Sequence, residues 1–190
     1  MPGTQSPDPR TDADLVDVCN YGSAREAARA FQVLYDRHKD FVIRVALRFV
    51  HDHDCALDVL QETFSYLLRK FPPAGPGLSL SARLTSLLYP VAKNCAITLL
   101  RKSERFPPSG ELQPDDLPSD PVADQEDIEA ALQELPDDRR EVVILRFVDD
   151  LSLQEIAEVL RIPLGTVKSR LHLAIRQLRD SPNTKKFFDP

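Results

Sequence analysis

The chain has 190 residues, of which 42% are hydrophobic and 28% charged, with no Trp and 16 Pro; this composition excludes a fibre or a low-complexity tail and suits one or two compact domains. No apolar run approaches the roughly 20 residues of a membrane span, and the opening MPGTQSPDPRTDADL lacks the basic and apolar blocks of an export signal, so a cytoplasmic protein without membrane insertion is expected. The net charge of -6 is unevenly spread: residues 21–106 carry 13 basic and 8 acidic side chains, 107–130 carry 0 and 8, and 131–190 carry 10 and 10.

In chain order, residues 1–20 read as an N-terminal extension. Apolar residues then recur at helical spacing in Ala27, Phe31, Leu34 and Tyr35, in Val42, Val45 and Phe49, and in Leu57, Leu60, Phe64, Leu67 and Leu68, which predicts three amphipathic helices. After the break FPPAGPG, the series Leu84, Leu88, Val91, Cys95 and Leu99 predicts a fourth helix to about Glu104, with a bend near Ser86 to Pro90 because Pro90 lacks an N–H. These elements make a first domain over 21–106. The acidic, Pro-rich stretch 107–124 has too little apolar surface to fold and reads as a linker.

A second domain is expected over 125–180, followed by a tail over 181–190. Ile128, Ala131, Leu132 and Leu135 open it, and Pro136 is preset for the first turn of a helix that turns Val143, Ile144 and Phe147 inward. Ser152 and Glu155 form a capping box, so a short helix starts there with Leu153, Ile156, Ala157 and Leu160 inward. Arg161-Ile162-Pro163 ends it, and another helix begins near Leu164. No stretch alternates with period two, so the whole chain is predicted to be all-α, with two helical domains joined by an acidic linker.

The last two helices predict a helix-turn-helix. Val167, Leu171, Ala174 and Leu178 form the inner stripe of the second one, which leaves Thr166, Ser169, Leu173 and Arg176 on the outer face flanked by Lys168 and Arg170. Cations beside small polar groups at that spacing suit phosphates and base edges of a DNA major groove. From Leu135-Pro136 through Arg140-Glu141-Val142 and Ser152 to Gly165-Thr166-Val167-Lys168-Ser169-Arg170-Leu171-His172, the sequence resembles the fourth domain of bacterial RNA polymerase sigma factors of the small extracytoplasmic-function (ECF) type. The resemblance implies that Thr166, Lys168, Ser169, Arg170, His172 and Arg176 contact the minus-35 promoter element and that the domain docks on the flap of the polymerase β subunit. It also marks a departure: Arg161 stands where the family's turn usually has Gly.

The first domain bears on the same reading. Asp58, Gln61, Glu62 and Ser65 share one polar helix face, and Asp58-Val59-Leu60-Gln61-Glu62-Thr63-Phe64 resembles the sigma helix that rests on a coiled coil of the β′ subunit. By that resemblance Asp58, Gln61, Glu62 and Phe64 bind core polymerase, the polar groups through charge-assisted hydrogen bonds. The fourth helix places Arg83, Asn94, Thr98, Arg101 and Arg105 on one side with Lys93 and Lys102 at its edges. Leu88-Tyr89-Pro90-Val91-Ala92-Lys93-Asn94 resembles the segment that melts promoter DNA, which assigns Lys93, Asn94, Thr98, Arg101 and Lys102 to the minus-10 element. Leu87, Pro90 and Thr98 replace a Trp, a basic residue and an acid common in that segment.

His51-Asp52-His53-Asp54-Cys55 collects metal-capable side chains, but a closed site would need His38 or Cys19 as well, and Asp54 is suited to cap the third helix instead. Cys19, Cys55 and Cys95 show no CxxC spacing. No metal, cofactor or catalytic activity is therefore expected. The partners implied are core RNA polymerase, promoter DNA and an anti-sigma factor; the rival reading is a stand-alone helix-turn-helix regulator that does not engage polymerase.

Overall fold

The computed structural model describes residues 8–50, 52–105, 130–182 and 184, and among them every regular element is helical. The chain divides into two units, Met1–Glu111 and Leu112–Pro190. The expected linker over 107–124 lies outside the described residues, as does the Phe187-Phe188 end of the tail. The first unit contains α1 (Asp12–Tyr21), α2 (Ala24–Leu47), α3 (His53–Leu68) and α4 (Leu84–Arg105).

A capping box starts each of α1 and α2. Thr11 and Asp14 satisfy each other's backbone N–H groups, and Ser23 and Glu26 repeat the arrangement twelve residues later. Part of the stretch read as an extension is thus a helix, and its Leu15, Val16 and Cys19 are buried. A second difference is that the two helices expected around residues 27–35 and 42–49 are one, α2. The intervening Asp36-Arg37-His38-Lys39-Asp40 contains neither Gly nor Pro, so nothing in it stops propagation.

α1 is tied to α2 by charge. The Asp12 carboxylate meets Arg37 Nη1 at 2.5 Å and the buried His38 Nε2 at 2.7 Å. Burial on its own would raise the Asp12 carboxyl, but the bonds from His38 and Arg37 outweigh it and hold it below the ordinary carboxylate value. At the other end of α1, the Asn20 carboxamide donates to Leu78 O at 2.7 Å and accepts from Leu78 N–H at 2.9 Å. One side chain thereby fixes the connection between α3 and α4 beside Gly77, whose φ of 100° is a conformation that favours glycine. Asn20→Ala should lower stability by about 2 kcal/mol, since both Leu78 backbone groups lose their partner in a part-buried setting. Denaturant unfolding would read the loss, and hydrogen exchange would locate it at the Leu78 amide.

α3 is capped by Asp52, which accepts from Cys55 N–H at 3.0 Å, so Asp54 lies inside the first turn and is not the cap. α4 is helical without interruption through Pro90, so Pro90 does not end the helix; Leu84, Leu88, Tyr89, Ala92 and Ala96 are buried on its inner side. Pro90 lies in the second turn and offers no N–H to the Ser86 carbonyl one turn earlier.

The second unit contains helical residues 130–133, α5 (Asp137–Phe147), α6 (Leu153–Leu160) and α7 (Leu164–Asp180). Arg140 joins its first two pieces: Nε donates to Leu132 O and Nη2 to Gln133 O and Leu135 O, all within 2.8 Å. Leu135, Val143 and Ala174 form a buried cluster against which Leu132, Leu171 and Leu178 pack. Phe147 does not join it; at 63% exposure it is the last residue of α5, beyond the buried Val142, Val143 and Leu145. Ser152 and Glu155 form the expected capping box. Part of the expected tail is packed, since Ser181 and Thr184 are buried and bond to Glu134 and to the Leu178 carbonyl.

Arg161 ends α6 with φ 54° and ψ 44°, the left-handed conformation that glycine adopts without strain. Arg161→Gly should therefore raise the stability of this unit by about 1 kcal/mol, because the Cβ clash disappears. A higher midpoint in thermal unfolding is the expected observation.

Candidate functional site

Three helix faces collect the chemistry. On α3, Asp58, Gln61 and Glu62 are exposed, as the sequence places them, but Phe64 is 4% exposed. Its ring lies 4.8 Å from Tyr35 and 6.2 Å from Phe31, centroid to centroid, so it supports the face from below. Two residues read as core leave it: Leu57 is 41% and Leu68 is 53% exposed. The stripe of five large apolar residues is wider than the seam that α2 and α4 cover. Together with Phe31, Tyr35, Leu60, Gln61 and Ser65 these residues line a groove of about 430 Å³ between α2 and α3. An apolar groove with the Gln61 amide in its wall, and with Asp58 and Glu62 exposed on the same helix, suits a partner helix with basic and apolar side chains.

On α4, Asn94, Thr98, Arg101 and Lys102 are exposed on the outer side. The Thr98 hydroxyl donates to the Asn94 carbonyl at 2.7 Å, which uses its proton within the helix and leaves its lone pairs outward. Lys93 departs from this pattern. It is half-buried, with Nζ 5.6 Å from the centre of the Phe49 ring, a cation–π contact that draws it toward the turn after α2.

On α7, Lys168, Ser169, His172 and Arg176 form one exposed row opposite buried Val167 and Ala174. Thr166 is half-buried in the first turn, and its carbonyl accepts from the Ser169 hydroxyl at 3.0 Å. Arg170 stands apart: it is half-buried and paired with Asp138 of α5 at 3.1 Å. The α6–turn–α7 arrangement presents the second helix of a helix-turn-helix outward, with two cations on its face.

Among the described residues, no three of His, Cys, Asp and Glu stand together as a metal site. Burial pushes the Cys19 thiol up to about 11 and raises Cys55 and Cys95 above their ordinary value. All three are protonated at neutral pH and are poor nucleophiles. No helix among the described residues is long and apolar enough to cross a membrane.

Residues 34–106 match the sigma-70 region 2 family and residues 125–178 the sigma-70 region 4 family. The ECF RNA polymerase sigma factor SigW of Bacillus subtilis (strain 168) is 30% identical over 167 residues, which cover 79% of the chain and 87% of SigW. The chain belongs to the ECF RNA polymerase sigma factors. The ECF sigma factor SigL of Mycobacterium tuberculosis (strain H37Rv) is 34% identical over 167 residues, covering 83% of this sigma factor and 92% of SigL. Two solved structures share its fold at 22% identity. CnrH, in complex with the cytosolic domain of CnrY, gives a TM-score of 0.60 over 87% of this chain and 93% of that one. The sigma factor RpoE of Bartonella quintana, in complex with the anti-sigma factor NepR, gives 0.58 over 79% and 94%.

As a sigma factor the protein is a transcription initiation factor that binds RNA polymerase. The region 2 match spans α3 and α4, which a stand-alone regulator would not need, and it disfavours that alternative. α5, α6 and all but the last two residues of α7 fall within the region 4 match.

Proposed function

We propose that this sigma factor engages core polymerase through the outer face of α3 and promoter DNA through α4 and α7. Asp58, Gln61 and Glu62 take charge-assisted hydrogen bonds from basic side chains of the β′ coiled coil, while Leu57 and Leu68 cover apolar surface beside them. Asn94, Thr98, Arg101 and Lys102, with Lys93 at the edge, hold the minus-10 region. Thr166, Lys168, Ser169, His172 and Arg176, with Arg170 beside them, hold the minus-35 element, and the same domain docks on the β flap. The carrying observation is that one chain presents, in order, an acid–amide face over an apolar groove and two cationic helix faces.

The factor acts in the cytoplasm, where its polymerase and promoters are, and has no catalytic activity of its own. RpoE and CnrH have structures in complex with NepR and CnrY, and an anti-sigma factor that covers the α3 groove would hold this protein inactive in the same general way.

Selection from a randomised duplex library by the protein bound to core polymerase tests the assignment. Two spaced sequence blocks should be enriched. Arg101→Ala with Lys102→Ala should weaken the downstream block alone, and Lys168→Ala with Arg176→Ala the upstream block alone. Enrichment of one block, whichever variant is used, would contradict the two-helix reading.

A further inference from the structure

Arg170 differs from its neighbours on α7. Lys168, Ser169, His172 and Arg176 are exposed, whereas the Arg170 side chain is 29% exposed and its Nε lies 3.1 Å from Oδ2 of Asp138. Asp138 keeps 48% of its side chain exposed, so the pair sits at the solvent edge of the α5–α7 packing. An ion pair this exposed contributes little to stability. Its effect is geometric, because a guanidinium is a rigid plane with five donors, and a partner at Nε fixes the plane without itself occupying both terminal nitrogens.

The anchor is itself held. Asp138 is the second residue of α5, where the helix dipole favours a carboxylate. Its neighbour Arg139 reaches Gln177 of α7 at 3.4 Å, and Arg140 grips the carbonyls of residues 132, 133 and 135. This turn of α5 is therefore bound both to α7 and to the segment before it.

The geometry points to Asp138 as a positioning residue for DNA binding: it holds the Arg170 guanidinium beside the outer face of α7 so that the terminal nitrogens meet a phosphate of the duplex. Asp138 itself touches no DNA. The inference rests on the proposed duplex-binding role of α7.

The test is fluorescence anisotropy of the full chain on a mixed-sequence duplex of about 25 base pairs across a range of NaCl, since a phosphate contact is independent of sequence and shows in the salt slope. Arg170→Ala should flatten the log–log slope by about 0.9 and weaken binding roughly eightfold near 0.1 M salt. Asp138→Asn should weaken binding about threefold or more, the double variant should bind no more weakly than Arg170→Ala, and Asp138→Glu should restore part of the loss. Matching thermal unfolding across the set separates these effects from folding. Tighter binding by Asp138→Asn would overturn the inference, because Asp138 would then be restraining Arg170. Losses that add in the double variant would overturn it too. A wild-type chain that does not bind the duplex would instead remove the α7 reading on which it stands.

Discussion

Gln61→Ala combined with Glu62→Arg should weaken binding to core polymerase on the order of a hundredfold, as two charge-assisted hydrogen bonds at about 1.5 kcal/mol each are lost and one charge is reversed. Both side chains are exposed on α3, so the substitution leaves the core of the first unit intact and its stability should change by less than about 0.5 kcal/mol. Titration of labelled core polymerase with each protein measures the effect. Affinity for isolated duplex should be unchanged, because α7 lies in the other unit. An unaltered polymerase affinity would show that the α3 face is merely solvated.

Lys168→Ala with Arg176→Ala should have the complementary result. Each exposed cation on α7 that neutralises a phosphate releases counterions, so losing both should flatten the salt dependence of duplex binding by about 1.8 in log–log slope. At about 0.1 M salt that corresponds to roughly a sixtyfold weaker complex. Polymerase affinity through α3 should be retained. If the slope stays the same while affinity falls, the two side chains act on base edges or on the helix itself and not on phosphates.

Much of this was legible in the residues. The Ser152–Glu155 capping box and the stripe of Val167, Leu171, Ala174 and Leu178 are local features, and the helix-turn-helix follows from them. α3 was legible for the same reason, since Leu60, Phe64 and Leu67 recur at helical spacing. What eluded the sequence depends on partners far along the chain. Leu57 and Leu68 look identical to core leucines until α2 and α4 are seen to leave them uncovered. Phe147 has the spacing of a buried residue, but it is the last residue of α5 and stays exposed. The burial of Phe64 behind Tyr35 and the pairing of Arg170 with Asp138 are contacts between helices, and no periodicity within one helix encodes them. α1 was missed for a different reason: it is ten residues long with three buried side chains, too short and too polar to stand out before its docking on α2 is known.

As a sigma factor, this one chain should turn core polymerase toward particular promoters. Run-off transcription on fragmented genomic DNA, with and without the protein and with the 5′ ends of the transcripts sequenced, tests it most directly. Discrete new starts should appear that depend on the protein, share two spaced upstream elements and vanish with Gln61→Ala plus Glu62→Arg. Absence of new starts, with the same polymerase active under a control sigma factor, would contradict it.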